Sequence, residues 1–169
     1  DLLRAGAALD DDEITGEVIG GVPASIVTYA DFSRMDQILT ENRVSKSTQI
    51  IAGSRNIDTK VIPACRVAYI GPEVKPLLEG LKDQFQNRAF IPVQHYAAAG
   101  NLLHGEIGTI GTFRIIEVPE MLHWAGAGAE VVTNDAGYRT TDDGVDEKFN
   151  VYPILFVGND SFNTIGFQT

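Results

Sequence analysis

The side chains able to act as nucleophile, base or soft metal ligand are few: one cysteine, Cys65, and three histidines, His95, His104 and His123. A cysteine beside an imidazole is a nucleophile with its base. Cys65, however, stands in IPACRVAYIG, an apolar strand-like run where cysteine more often serves as a small buried hydrophobe. No two histidines stand three or four residues apart, and one cysteine cannot build a thiolate site, so the residue types argue against zinc. The carboxylates Asp142, Asp143, Asp146 and Glu147 offer hard oxygen ligands, but their order around Gly144 does not match a calcium loop. They read as a solvated loop, and so does the acidic run Asp10, Asp11, Asp12 and Glu13. A Gly-x-Ser-x-Gly elbow for a serine hydrolase is missing. We therefore expect no catalytic, cofactor-binding or metal site.

Glycines recur at three-residue intervals in GEIGTIGTFRIIEVPEM: Gly105, Gly108 and Gly111. A phosphate loop needs such glycines after a strand and before a helix, so that free amides at the helix start face the anion. Here they lead into Thr112, Phe113, Ile115, Ile116 and Val118, a strand-forming run, and no Lys-Ser/Thr pair follows. The glycines read instead as residues that permit tight turns and close backbone approach. PEMLHWAGAGAE is of another kind: Met121, Leu122 and Trp124 precede a small-residue segment, Ala125 to Ala129, and suit either a core corner or a subunit contact.

The elements that would carry these residues can be read from local pattern. Tyr29, Phe32, Met35 and Leu39 recur at helical spacing, and Thr28 with Asp31 forms a capping box, so a helix is predicted over 29–42. TQIIAGS, TKVIP and RVAYIG read as short strands. Pro72 or Pro76 opens a short helix with Leu77, Leu78 and Leu81 as its apolar face, ending before Gln86. TFRIIEV, AEVVT and VYPILFVG are further strands, the last demoted to an edge or bulged strand by Pro153. Thr133 to Asn150 reads as a surface loop, and residues 1–21 as an arm. Two helices among many short strands make an α+β chain.

With 169 residues the chain suffices for one cored domain, and its composition is ordinary for a soluble globular protein. A formal charge of -10 with scattered basic residues argues against a nucleic-acid-binding surface. No stretch approaches the apolar length of a membrane span.

Three stretches in order, LTENRVSKSTQIIAGSRNIDTKVIPACRVAYIGPEV, GEIGTIGTFRIIEVPEMLHWAGAGA and NVYPILFVGNDSFNTIGFQT, resemble the major capsid proteins of tailed bacteriophages, in the branch typified by the N4-like phages. The resemblance runs from about Tyr29 to Thr169 and implies the Hong-Kong-97-type capsid fold. Residues 1–44 would then be the end of the extended loop or arm and the spine helix of the peripheral domain. Residues 45–169 would be mainly the axial domain, with return strands to the peripheral one. The glycines at 105, 108 and 111 would be corners, and TFRIIEV a strand between domains. The resemblance also implies self-assembly into pentamers and hexamers of an icosahedral virion head that encloses double-stranded DNA without binding it specifically. Assembly would take place in the bacterial host cytoplasm, with scaffolding, decoration and portal proteins as further partners and no membrane. Family members are longer on both sides, so the chain reads as an internal portion of such a protein. The alternatives are an encapsulin-like compartment shell, which shares the fold, and a small cytoplasmic enzyme using Cys65.

Overall fold

The Asp31 carboxylate accepts the Thr28 backbone N–H at 2.7 Å and the Thr28 hydroxyl at 2.8 Å, closing the start of the first helix as its sequence predicts. In the computed structural model the described residues are 18–19, 22–23, 27–46, 48–52, 58–62, 65–96, 103–128, 130–131, 134, 137–142 and 144–158. The acidic run at 10–13 and Asp143 lie outside them, as does most of the expected arm. Val18–Ile19 (β1) and Val22–Pro23 (β2) form a small antiparallel pair. Helix α1 spans Tyr29–Glu41 and is followed by a second antiparallel pair, Thr48–Ala52 (β3) with Asp58–Ile62 (β4). Then come Arg66–Ile70 (β5), helix α2 at Lys75–Glu79, Phe90–Pro92 (β6), Glu106–Ile110 (β7) and Phe113–Glu117 (β8). Thr140–Asp142 (β9), Glu147–Phe149 (β10) and Leu155–Val157 (β11) complete the order.

Five strands make the main sheet in the order β11-β5-β8-β7-β6, with β5 and β8 parallel and the other neighbours antiparallel. A parallel pair cannot be joined by a tight turn, and the long connection from β5 to β8 carries α2, β6 and β7. The central strands are buried nearly throughout, which is why RVAYI and FRIIE read as apolar runs and not as alternating ones. On one face Phe32 of α1 meets Phe113 and Phe156 edge to face, with ring centroids 6.1 and 5.4 Å away, and Phe113 meets Phe156 at 4.8 Å. Each such pair adds about 0.5–1.5 kcal/mol beyond the area it buries. Leu78 and Leu81 bring α2 and the segment after it onto the same core, beside Ala68, Ile70, Ile110 and Ile115.

Helix α1 ends where Arg43 takes a left-handed φ of 58°. The Arg43 N–H then donates to the Thr40 carbonyl at 2.9 Å and the Val44 N–H to the Leu39 carbonyl at 2.9 Å, which satisfies carbonyls that the helix leaves open. Helix α2 starts beside Pro76, one of the two prolines expected to open it, and stops at Gly80.

Two expectations need correction. Gly105 and Gly111 are corners with φ of 77° and 56°, but Gly108 lies inside β7, at a register shift between Glu106 and Gly108. A Cβ there would sit 2.4 Å from Phe90 Cζ and 2.6 Å from the Ile91 carbonyl, so its hydrogen is what lets β6 lie against the strand. Within 133–150 the expected loop is a β-hairpin, β9 paired with β10, because Gly144 at φ 86° makes the turn and Asp142 accepts its N–H at 2.7 Å. Of AEVVT, residues 129, 132 and 133 lie outside the described residues; Glu130 bridges to Lys148, and the Val131 N–H donates to the Glu147 carbonyl at 2.8 Å. The last strand begins at Leu155, past Pro153, and lies at a sheet edge as its proline indicates.

Candidate functional site

Arg66 opens β5 with a side chain that is fully buried. Its guanidinium reaches the Asp36 carboxylate, the Asp36 carbonyl at 3.2 Å, the Thr40 hydroxyl at 3.2 and 3.3 Å, and the Val44 carbonyl at 2.6 Å. The Thr112 hydroxyl donates to Asp36 at 2.7 Å, and Lys46 lies 3.3 Å from the same carboxylate. One cluster thus fastens the second half of α1, its C-terminal turn, the start of β5 and the β7–β8 turn. Burial alone would raise the Asp36 carboxyl. The hydrogen bonds from Thr112 and Lys46, with the charges of Lys46 and Arg66, outweigh burial and hold it below the ordinary carboxylate range. Arg66 Nε is buried without a hydrogen-bond partner among the described residues. A shallow hollow of about 120 Å³ beside the cluster, bounded by Tyr29, Phe32, Ser33 and Thr112, is smaller than the pockets that take metabolites, which run to roughly 300 Å³ or more.

A second cluster lies around Glu106, whose side chain is fully buried. Its carboxylate accepts the Tyr96 hydroxyl at 2.7 Å and the Leu103 N–H at 2.9 Å, with Arg114 at 3.3 Å. Burial and the hydrogen bond to Glu106 push the Tyr96 hydroxyl well above its ordinary value. Cys65 is buried next to this cluster, and its burial pushes the thiol up, with Arg114 opposing and Glu106 reinforcing the shift. A raised thiol is a poor nucleophile. None of the three histidines is among the charged groups acting on it; His95 and His104 are exposed, and His123 stacks on Tyr152 with ring centroids 5.6 Å apart. Asp142 and Glu147 spend oxygens on the hairpin, accepting from the Gly144 N–H and the Thr140 hydroxyl. No three His, Cys, Asp or Glu side chains among the described residues converge on a point that could hold a metal ion.

What remains as functional surface is apolar and exposed. Leu122 and Trp124 are 64% and 47% exposed, so they do not form a core corner. Reciprocal backbone hydrogen bonds of 2.9 Å between Trp124 and Val151 hold that segment in place. The small residues after it accommodate the chain's own backbone: a Cβ on Gly128 would lie 2.7 Å from the Phe149 carbonyl. Phe85 and Val145 each crown a hairpin and are exposed more fully still. Sequence reasoning missed the two charged clusters; the only local signal was an arginine inside each of two apolar strand runs, CRVAYI and TFRII.

No family model matches the chain. Over 164 residues, 97% of its length, it is 42% identical to the major capsid protein of Pseudomonas phage KPP21, and it spans 38% of that protein's length. The similarity read from the three stretches above is therefore present across nearly the whole chain.

Proposed function

We propose that this chain serves as a phage major capsid protein, a structural subunit that self-assembles into the pentamers and hexamers of an icosahedral head around double-stranded DNA. The observation that carries this reading is the 42% identity to a phage major capsid protein over 97% of the chain. Supporting it are a mixed five-stranded sheet with two α-helices among the described residues, polar clusters that fasten elements together, and exposed apolar residues at hairpin tips. The chain's excess of acid suits a shell that encloses DNA without gripping it. In this reading the fold is of the Hong-Kong-97 type, residues 1–44 carry the arm and spine helix, and residues 45–169 form mainly the axial domain. Scaffolding, decoration and portal proteins are its further partners, the virion its location, and its work is contact area, not turnover.

The test is electron microscopy of particles formed by the natural-length protein, with their absorbance ratio at 260 and 280 nm. Icosahedral shells rich in nucleic acid are expected. Shells filled with protein cargo would instead indicate an encapsulin-like compartment, and a monodisperse monomer at high concentration would overturn the assembly reading.

A further inference from the structure

Two hairpins carry like charges face to face, and their signs are opposite. In the first, Lys82 pairs across the hairpin with Arg88, and both are exposed. Neither forms an ion pair among the described residues. Asp83, the acid in this hairpin, turns its carboxylate onto the Phe85 and Asn87 amides at 2.8 Å each. Further backbone bonds, Asp83 N–H to the Asn87 carbonyl at 2.9 Å and Ala89 N–H to the Leu81 carbonyl at 3.0 Å, fix the loop. The result is a rigid tip on which Phe85 is 81% exposed. In the second hairpin Asp142 pairs directly with Glu147, each carboxylate also accepting one bond within the hairpin from a neutral donor, and Asp146 and the 84% exposed Val145 lie in the turn between them. Like charges directly opposite each other in an antiparallel pair are destabilising. Such pairs are relieved by a partner of opposite charge, and each tip also exposes an apolar side chain that such a contact would bury.

We propose that the Lys82–Arg88 hairpin of one copy of this protein docks on the Asp142–Glu147 hairpin of a second copy, with Phe85 against Val145. Charge complementarity selects the occupant: the chain is strongly acidic overall, and the basic pair is matched by an acidic pair of the same construction on the same chain. The exposure of both tips shows that they are not buried against each other within one subunit. A contact that joins two different surfaces of identical subunits is heterologous, and its repetition closes a ring when the rotation between copies divides a full turn and runs on as a filament when it does not. The inference rests on the capsid reading for its ring and deepens it by naming the contact.

The test uses the natural-length protein in two singly substituted forms, Gln86→Cys and Val145→Cys, distinguished by mass, mixed and oxidised with glutathione disulfide. A mixed dimer is expected in excess over either homodimer. Lys82→Glu with Arg88→Glu on the Gln86→Cys form should lower it about tenfold. Placing Asp142→Lys with Glu147→Lys on the Val145→Cys form should restore it. Mixed dimers no more abundant than homodimers, or charge swaps without effect or rescue, overturn the contact. Particles without the mixed dimer refute the contact and leave the capsid reading standing, whereas the mixed dimer without particles supports the contact and counts against that reading.

Discussion

Replacing Arg66 by methionine keeps an apolar stem of similar length in β5 and removes the charge that ties α1 to the sheet. The guanidinium leaves behind the Thr40 hydroxyl, the Val44 carbonyl and the Asp36 carboxylate as bereft partners. Breaking a buried ion pair by deleting one member costs about 3–5 kcal/mol. Asp36, however, is 25% exposed and keeps Thr112 and Lys46, so a loss of about 2–3 kcal/mol is expected. In urea unfolding of the dissociated natural-length subunit this lowers the midpoint by about 1 M or somewhat more, for a slope of about 2 kcal/mol per M. The pH dependence identifies the cause. Because the Asp36 carboxyl is held below its unfolded value of about 3.9, its contribution is complete above that pH and is lost as pH falls through the lower folded value. The gap between wild type and Arg66→Met should therefore narrow on acidification without closing, since Thr112 and Lys46 also hold the carboxyl down and the bonds of Arg66 to Thr40 and Val44 do not titrate. A loss under about 0.5 kcal/mol at pH 7 would refute the reasoning, and so would a gap that stays constant down to the acid transition.

Gly108→Ala should destabilise by about 2–3 kcal/mol, since the Ile91 carbonyl in its way is backbone and cannot swing aside, whereas Gly111→Ala meets no atom within 4 Å and costs only its left-handed φ, about 1 kcal/mol. Thermal unfolding in which Gly111→Ala is the more damaging would show that the close approach of β6 is misread. Asp31→Ala removes the acceptor for both the Thr28 amide and hydroxyl and should cost about 1 kcal/mol by urea unfolding; an unchanged midpoint would argue that the cap adds nothing. The buried, raised Cys65 thiol should react with a colorimetric disulfide reagent at pH 8 far more slowly in the folded protein than in urea, and equal rates would contradict its burial.

Helix α1 and the opening of α2 were legible because their signals are local: an apolar period, a threonine three residues before an aspartate, a proline at the first turn. The β9–β10 hairpin also had a local signal, the Asp143–Gly144 dipeptide, but its strands are three residues each and mostly polar, so composition pointed to a loop. Gly108 was placed in the right stretch, and of the two roles expected there, a corner and a close backbone approach, it has the second. Its need to be glycine comes from Phe90 and Ile91 on the next strand, and no window around 108 contains them. The Arg66 and Glu106 clusters were illegible for the same reason, since their partners come from several separated elements and only the folded chain brings them together.

That Arg66 is charged at all bears on what the fold is for. A methionine and a leucine in place of such a pair often give equal or greater stability, so stability alone does not account for a buried guanidinium with one nitrogen left without a partner among the described residues. What the charge adds is direction. Apolar contacts such as Phe32 on Phe113 tolerate sliding, but a planar fork carried by the first residue of a strand and donating at once to a side chain of α1 and a carbonyl beyond its end favours one crossing of helix on sheet. In a repeating shell an angular error inside the subunit recurs in every copy, and a ring closes only if the angle is held. A fixed helix-to-sheet angle, with hydrogen-bonded hairpins beside it, is the property that the proposed assembly would demand of its subunit.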